Sequence, residues 1–424
     1  MSDPRSRKRG QDVSEAESSR TPSLLEKMME AIQLEEKLNP KLTLKRFLSV
    51  RSVVSTSSSF AERQQAAVGT ISKYRHIGAG TCGTIFQIPG TALILKVAKH
   101  PGKSTDQLWN DFQIHWKVTE TFDKIGRENI GVHVPRQESF IGSTDTVWWD
   151  SNAHRFPEAH QMVSNVLCSE RILPLPKPIR ESLIEQYCPE AGKATVKASE
   201  SNKDCLVRLY LGKRRERPNT QFFQLRNFNL HLNQMEDLEL EVLEFCDIIA
   251  DALALMHWGV EIDANDVEFV LGSAPDQIPS SAPVKNKSFT AAQISKMKPN
   301  TSTWAAHHND FKGRHTYIWL LDFNKCSAFP KTRPGLEQLV QAFYINDPYY
   351  PRPHSNLPKD QLLWSRFKNR YLATSSRTLK FFGREKFNDL PSRFIGMVET
   401  EQLKRMQKAQ LAAAASSVAP TASD

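Results

Sequence analysis

Apolar residues in the first half of the chain recur with two different spacings. Short apolar runs bounded by glycine, proline or polar residues predict five strands, at 74–77, 84–88, 92–98, 132–141 and 162–168. Between 106 and 122 the apolar face instead repeats every three or four positions, which predicts an amphipathic helix: Leu108, Phe112, His115, Val118 and Phe122. We therefore expect a strand-rich first part that contains one helix.

The second half of the chain is mostly helical by the same criterion. Residues 173–178 contain three prolines and are predicted to form an irregular hinge, because proline fixes φ and lacks an N–H. Apolar stripes then predict helices at 179–187, 236–258, 335–343, 359–371 and 391–408. Two hairpins are predicted among them: 206–211 with 222–227 across a basic loop, and 269–271 with 317–322.

Polar segments frame and interrupt this domain. Residues 1–70 are predicted to be disordered apart from a short amphipathic helix at 24–38, and the tail at 409–424 is predicted to be disordered as well. The stretch 273–314 is rich in Ser, Pro, Lys and Asn, so we expect a flexible insertion between two paired strands.

A glycine-rich turn follows the first predicted strand. Gly78, Gly80 and Gly83 have the G-x-G-x-x-G-x-V spacing of a hairpin that covers phosphates, with Ile85 in the last position. Glycine allows a backbone to approach phosphates because it has no Cβ. The same spacing also occurs in ordinary turns, so alone it is a weak signal.

Two further signals strengthen it. Lys96 lies in the apolar run 92–98, where a charge is costly unless it is paired. Asp322 and Phe323 end a buried strand, where an aspartate is well placed to hold Mg²⁺. The structural alternatives are that Lys96 buries its alkyl chain while its ammonium reaches solvent, and that Asp322 caps a turn.

The glycine turn, the lysine and the Asp-Phe pair resemble protein kinases in order and spacing. The resemblance implies an α+β, bilobal protein-kinase-like fold, with a β-rich N-lobe at 71–172 and a mostly helical C-lobe at 173–408. It also implies ATP and Mg²⁺ as ligands. By the same resemblance, Asp111 stands where kinases have a glutamate and would pair with Lys96. Gly78, Gly80, Gly83, Lys96, Asp111 and Glu170 of the hinge would then contact the nucleotide, and Asp322 would hold the metal.

The expected catalytic loop, at 256–271, departs from the kinase pattern. One register places Ala264 at the catalytic base and Phe269 at the metal ligand, which would leave the site inactive. Sliding by one residue places Asp263 at the base and Glu268 at the metal. We prefer the second register, because it gives the two carboxylates that would converge near Asp322 a role in the site. Capping of the loop by Asp263 and by Asp266 is the structural alternative.

Three stretches of the second half resemble a fungal family of domains of unknown function, whose members are often labelled zinc finger proteins. They are 263–272, 321–326 and 342–353, and the last contains the most specific run, Asn-Asp-Pro-Tyr-Tyr-Pro-Arg-Pro. The label implies zinc, but no two of the six cysteines are two or three residues apart. We therefore predict no zinc. The family implies no activity.

Composition narrows the functional classes. The net charge is +9, with basic clusters at 5–9, 213–217 and 359–386, yet no aromatic residues alternate with these charges, so we do not expect nucleic-acid binding. Scattered cysteines and the absence of a signal peptide or a long apolar run predict an intracellular protein, cytoplasmic or nuclear, with no membrane segment.

Three functions remain open at this point. The first is a pseudokinase-type module that binds a nucleotide or an unknown protein partner. The second is an atypical ATP-dependent phosphotransferase for a small molecule or a protein, using Asp263, Glu268 and Asp322. The third is a regulatory interaction protein that binds no nucleotide. The missing His and Arg of the catalytic loop favour the first.

Overall fold

The computed structural model describes residues 39–49, 53–55, 66–67, 71–99, 107–126, 130–215, 223–276, 291–296, 298, 310–346 and 348–417. The described residues from Pro40 onward belong to one compact unit. The predicted helix at 24–38 and most of the predicted disorder at 1–70 lie outside the described residues. Within that range, however, Pro40–Phe47 is helical and Val53–Ser55 is a strand, so these two segments differ from the predicted disorder. The predicted lobe boundary at 172/173 stays a prediction.

The strands that the structure describes agree with most of the predicted apolar runs. They are β1 (Val53–Ser55), β2 (Arg75–Ala79), β3 (Gly83–Ile88), β4 (Leu93–Ala98), β5 (Val132–His133), β6 (Gln137–Ile141), β7 (Val166–Glu170), β8 (Val207–Tyr210), β9 (Phe228–His231), β10 (Glu268–Asp276) and β11 (Asp310–Leu321).

The helices that the structure describes dominate the second half of the chain. They are α1 (Pro40–Phe47), α2 (Gln107–Ile125), α3 (Thr146–Asn152), α4 (Lys177–Tyr187), α5 (Lys193–Ala198), α6 (Leu232–Asp237), α7 (Val242–Leu255), α8 (Ala291–Ile294), α9 (Arg333–Ile345), α10 (Pro358–Phe381) and α11 (Leu390–Ser417). None of the described helices is both long and apolar enough to cross a membrane.

The first half contains a five-stranded antiparallel sheet. Its strands pair in the order β2-β3-β4-β7-β6. Buried side chains of β3, β4 and β7, including Phe86 and Val166, pack with Trp149 and Phe156 in a small core. Helix α2 buries Leu108, which packs with apolar residues of β4 and β7. The strand-rich first part is therefore a layer of sheet with one long helix packed on it.

A second sheet combines four strands of the helical half with β1 and β5 of the first half. Its strands run in the order β1-β11-β10-β8-β9, and β5 pairs with β11. The predicted hairpin of the two buried strands is confirmed, since β10 and β11 are antiparallel with Glu268 opposite Leu321. The predicted insertion at 273–314 is too long, because β10 continues to Asp276 and β11 begins at Asp310. Ser273 is fully buried and exchanges backbone hydrogen bonds with Leu173, which extends the paired region.

The predicted hairpin of 206–211 with 222–227 is wrong. Strands β8 and β9 are parallel neighbours, with Val207 opposite Phe228. Parallel neighbours cannot be joined by a tight hairpin turn, which rules out the predicted hairpin.

The predicted helix at 236–258 is also interrupted. It is divided between α6 and α7, and Glu239 in the break has φ of 52°. Leu238 and Leu240, on either side, are buried, so the break brings both apolar side chains into the core.

The last helix is longer than predicted. Helix α11 continues to Ser417, past the predicted end of the helix at residue 408 and into the predicted tail. The expected α+β class, strand-rich first and mostly helical afterwards, is confirmed.

Gly212 marks a close approach between two distant segments. It follows β8, and its N–H donates to the carbonyl of Pro348 at 2.8 Å. A Cβ at this position would lie 2.1 Å from the carbonyl oxygen of Tyr350, a backbone atom that cannot rotate away.

We predict that Gly212→Ala lowers the free energy of unfolding by about 2 kcal/mol or more, because the overpacked backbone has to shift. Urea denaturation of the full chain measures it. Gly396→Ala is the matched control: its Cβ meets nothing within 4 Å, and alanine in an exposed helix is stabilising by up to about 1 kcal/mol. Equal effects of the two substitutions would contradict this view of the packing.

His257 gives the fold a pH dependence. Its ring is buried, its Nδ1 lies 2.8 Å from the Tyr371 hydroxyl, and burial lowers its pKa from 6.5 to about 3. The unfolded chain therefore binds a proton that the folded chain excludes. This contribution to stability is complete above pH 6.5 and is lost as pH falls toward 3.

We predict that this one group removes about 1.4 kcal/mol of stability per pH unit below its unfolded pKa. Urea denaturation between about pH 7.5 and about pH 5 should show a flatter profile for His257→Gln than for the wild type. His154→Gln, at an exposed position, should retain the wild-type slope. A His257→Gln profile parallel to the wild type would refute the assignment.

Candidate functional site

The glycine turn connects β2 and β3. The N–H of Gly80 donates to the carbonyl of Gly83 at 2.8 Å, which closes the turn. Packing requires Gly83, because a Cβ there would lie 2.9 Å from Lys96 Cγ and from the Val97 carbonyl oxygen. Gly78 and Gly80 differ from it. A Cβ at Gly78 would make only an ordinary contact, and one at Gly80 would meet open space.

Lys96 is the centre of the site. It lies on β4, and its Nζ is 2.7 Å from Asp111 Oδ2 on α2 and 3.1 Å from Asp322 Oδ1 after β11. The predicted pairing of Lys96 with Asp111 is present in the structure, and Asp322 joins it. One ammonium therefore connects a strand, a helix and the end of the second hairpin.

The charges of the cluster shift each other's protonation. Burial alone would lower the pKa of Lys96, but the carboxylates of Asp111 and Asp322 outweigh it and hold that pKa well above its usual value. Burial raises the pKa of Asp322; Lys96 opposes this rise and Asp111 adds to it. The ammonium is thus firmly charged, and it compensates two carboxylates that are close to each other.

The backbone turns sharply directly after β11, where Asp322 has a φ of 68°. A short polar side chain tolerates this conformation better than most residues. The backbone turn therefore occurs at the aspartate itself.

Helix α2 is tied to this turn by contacts that the sequence did not reveal. Asp111 Oδ1 accepts the N–H of Phe323 at 3.1 Å, and the side-chain amide of Asn110 donates to the carbonyls of Asn324 and Cys326. The ring of Phe323 is fully buried, with His115 of α2 at 5.0 Å between ring centroids. In the sequence, these contacts are indicated only by the adjacent polar residues Asn110 and Asp111 in the amphipathic helix.

Cys82 adds a thiol to the cluster. One donor atom each from Cys82, Asp111 and Asp322 lie within 4.8 Å of one another. This set does not fit structural zinc, which takes four nitrogen or sulfur ligands. The carboxylate oxygens of Asp322 are the donor type that Mg²⁺ takes, so this residue fits the predicted metal role. Burial raises the pKa of Cys82, which keeps it a thiol and a poor ligand.

Asp263, the predicted base, is engaged in structural hydrogen bonds. Its carboxylate accepts the N–H groups of Asn265 and Ser327, at 3.1 and 2.9 Å, and the side-chain amide of Gln338 at 2.7 Å. It is 5% exposed. Capping of the loop by Asp263, the structural alternative, is thus present, while its catalytic role stays a prediction.

Glu268, the predicted second metal ligand, forms an ion pair with Arg208 of β8. Burial raises the pKa of Glu268, and the charge of Arg208 opposes that rise. The residue lies opposite Leu321, the neighbour of Asp322, so it is near the site but compensated by a different cation. The sequence did not reveal Arg208, because this partner comes from a distant strand.

Glu170 lies at the end of β7, next to the predicted hinge. Its carboxylate accepts the N–H of Arg136 at 2.9 Å, and its own N–H donates to the Arg136 carbonyl. It also lines a cavity of about 180 Å³ with Phe122 and Trp319. Its predicted contact with a nucleotide stays a prediction.

The loop before β10 is strained and braced. Glu261, Ala264 and Asp266 have φ of 66°, 53° and 62°, a conformation that costs free energy for residues other than glycine. Asn346 holds the loop: its Nδ2 donates to the Ala264 carbonyl at 2.8 Å, and its Oδ1 accepts the N–H of Asp266. Asn346 opens the family-specific run, and its role in bracing the loop could not be predicted from the sequence.

Residues 318–381 match a family described as "DUF3669: Zinc finger protein". No curated protein matches the sequence. A solved structure, the GDP complex of a mutant aminoglycoside 2′-phosphotransferase-IIIa, matches with 9% sequence identity and a TM-score of 0.19, covering 81% of this chain and 95% of that chain. The match over residues 318–381 confirms the predicted resemblance of this stretch to that family of domains of unknown function.

Proposed function

We propose that the site around Lys96 binds the phosphates of a nucleotide together with Mg²⁺, and that the protein is a pseudokinase-type binding module. The observation that carries the proposal is the Lys96 ammonium, held between Asp111 and Asp322. A lysine fixed by an acid of the neighbouring helix is the arrangement that kinases use to hold nucleotide phosphates.

The glycine turn supports the proposal. Gly83 is explained by its packing, but neither a close contact nor a positive φ explains Gly78 and Gly80. Glycine at such positions leaves room for a ligand to approach the backbone. In addition, both polar atoms of the buried Asn324 amide lack a hydrogen-bond partner among the described residues. A buried amide in this state needs a ligand or a water molecule.

Mg²⁺ would supply charge neutralisation for the phosphates, and Asp322 is the residue that would hold it. The chain's own contribution would be positional. Lys96 would attract the phosphates, Asp111 would keep Lys96 in place, and the turn at 78–83 would cover them.

Binding is favoured over transfer because the second pair of acids is already occupied. A general base must present a lone pair to the hydroxyl that it activates. In this protein the carboxylate of Asp263 accepts two backbone N–H groups and the Gln338 amide, and Glu268 is paired with Arg208. The alternative, an atypical phosphotransferase, is favoured by a single feature: Glu268 lies opposite the residue that precedes Asp322.

We further propose that the module works inside the cell with a protein partner. All six cysteines are free, and five of them are buried. Unpaired buried thiols are typical of proteins from a reducing compartment.

We predict that ATP with Mg²⁺ raises the melting temperature of the full chain by about 5 °C at about 100 times Kd. Lys96→Met and Asp322→Asn should abolish this shift, because each removes a charge that faces the phosphates or the metal. Lys99→Met, at the exposed end of the same strand, should retain it. Each shift is measured by thermal denaturation against the variant's own unliganded melting temperature.

The outcomes separate the three functions. If ATP with Mg²⁺ still raises the melting temperature of both Lys96→Met and Asp322→Asn, the proposed site is wrong. No shift in the wild type with any nucleotide or metal would indicate an interaction protein without nucleotide. Phosphoryl transfer or ATP hydrolysis that disappears in Asp263→Ala would establish the phosphotransferase instead.

The same reasoning predicts that Asp263 stabilises the loop. Asp263→Ala should lower the free energy of unfolding by roughly 2 kcal/mol, because buried N–H groups lose their acceptor. Asp150→Ala, at an exposed position of α3, should change it by less than about 0.5 kcal/mol. Urea denaturation measures both. If Asp263→Ala leaves the free energy of unfolding unchanged, the hydrogen bonds of Asp263 are not structural, and the catalytic role is favoured instead.

A further inference from the structure

A large cavity among the described residues lies away from Lys96. We call it the basic groove. It has a volume of about 990 Å³, within the range of ligand sites, and four segments contribute most of its lining. They are the end of β8 with the basic loop after it, the end of β9, the segment 351–356, and the facing turns of α10 and α11.

Two sequence features that the nucleotide site leaves unused meet in this groove. One is the basic cluster that begins at Lys213, and the other is the family-specific run that ends at Pro353. Gly212 joins them, since its N–H donates to the carbonyl of Pro348 and its Cα lies against Tyr350. The basic residues and the family-specific run therefore form one surface.

The groove is electropositive. Its lining contains four permanent cations, Lys213, Arg214, Arg215 and Arg352, against a single carboxylate, Asp360. That carboxylate accepts hydrogen bonds from Arg214, whose guanidinium also pairs with Glu236 at 2.8 Å. His231 at the groove responds to the same field: burial lowers its pKa, and the charges of Arg215 and Lys213 lower it too.

The cations are held on a fixed backbone. Asn233 binds both backbone groups of Arg215, accepting its N–H at 2.8 Å and donating to its carbonyl at 3.1 Å. The carbonyl of Lys213 accepts the N–H of Leu232 at 3.0 Å. A loop that is fixed in this way loses little conformational entropy when a ligand binds.

Arg352 is fixed from the opposite wall. Its guanidinium carbon lies 4.9 Å from the ring centroid of Tyr344 and 5.7 Å from that of Phe343. Pro351 and Pro353 on either side of it restrict the backbone. The Nη1 and Nη2 atoms of this guanidinium are buried, so Arg352 contributes positive charge to the wall of the groove.

We propose that the basic groove binds an acidic peptide segment of a partner protein, in which carboxylates or phosphates alternate with apolar side chains. The charge excess selects anions, and four apolar side chains of the lining suit peptide side chains: Leu211, Leu232, Leu363 and Met406. A nucleic acid fits less well. No Phe, Tyr or Trp is among the described residues that line the groove, so bases would find only the rings of His231 and His354 to stack on.

The test uses the full chain and fluorescein-labelled nonapeptides in fluorescence anisotropy. One peptide alternates Glu and Leu, a second has phosphoserine in place of Glu, and a third has Lys in place of Glu. We expect the two acidic peptides to bind, the Lys peptide not to bind, and the affinity to fall between about 50 and about 200 mM salt. The two acidic peptides distinguish carboxylate from phosphate as the anion.

Lys213→Glu should weaken acidic-peptide binding about tenfold or more, because it reverses an exposed charge of the groove. Arg352→Gln should weaken it as well, and its melting temperature is measured beside the wild type. Lys117→Glu, an equal charge reversal on the exposed face of α2, should leave peptide binding unchanged. Since Lys213 is outside the proposed nucleotide site, Lys213→Glu should also retain any response to ATP.

The proposal fails if neither acidic peptide binds, or if both bind Lys213→Glu and Arg352→Gln as tightly as the wild type. It also fails if a labelled 20-bp DNA duplex binds more tightly than the peptides and its binding is lost in Lys213→Glu, since the groove would then serve a nucleic acid. None of these results depends on whether the site at Lys96 binds a nucleotide.

Discussion

A single buried ammonium links the two halves of this protein. Lys96 of the first sheet would be costly to bury alone, and its cost is offset by Asp111 of α2 and by Asp322, which is 226 residues further along the chain. Asp111 also accepts the N–H of Phe323, so the helix, the sheet and the end of β11 meet at one point. Moving any of these elements would leave a charge without its partner, which costs more than a surface ion pair gains.

The same constraint explains which parts of the site could be predicted. Lys96 and Asp322 were recognisable because each is a charge inside or at the end of an apolar strand, a local signal. The partner of Glu268 was not, because Arg208 becomes its neighbour only when β8 pairs with β10. The bracing of the loop by Asn346 escaped for the same reason, since it joins segments that are 80 residues apart.

The fold was predictable to a similar depth. Strands and helices with a clear period, such as β4 and α2, were found within a few residues of their observed ends. The parallel pairing of β8 with β9 was missed, because spacing identifies strands but not their direction when the connection is long. The family-specific run also acquires a physical meaning. Asn346 braces the loop, Pro348 accepts the N–H of Gly212, and Arg352 stacks on Tyr344.

The position of Cys82 makes the glycine turn chemically accessible. It is the one cysteine of the six that is not buried, and it lies between Gly80 and Gly83. A thiol-reactive dye would therefore label this turn first, without any engineered cysteine. Because its raised pKa keeps the thiol protonated, labelling would be slow at neutral pH and faster in alkaline buffer. The protein thus carries a native attachment point for an optical reporter directly beside Lys96.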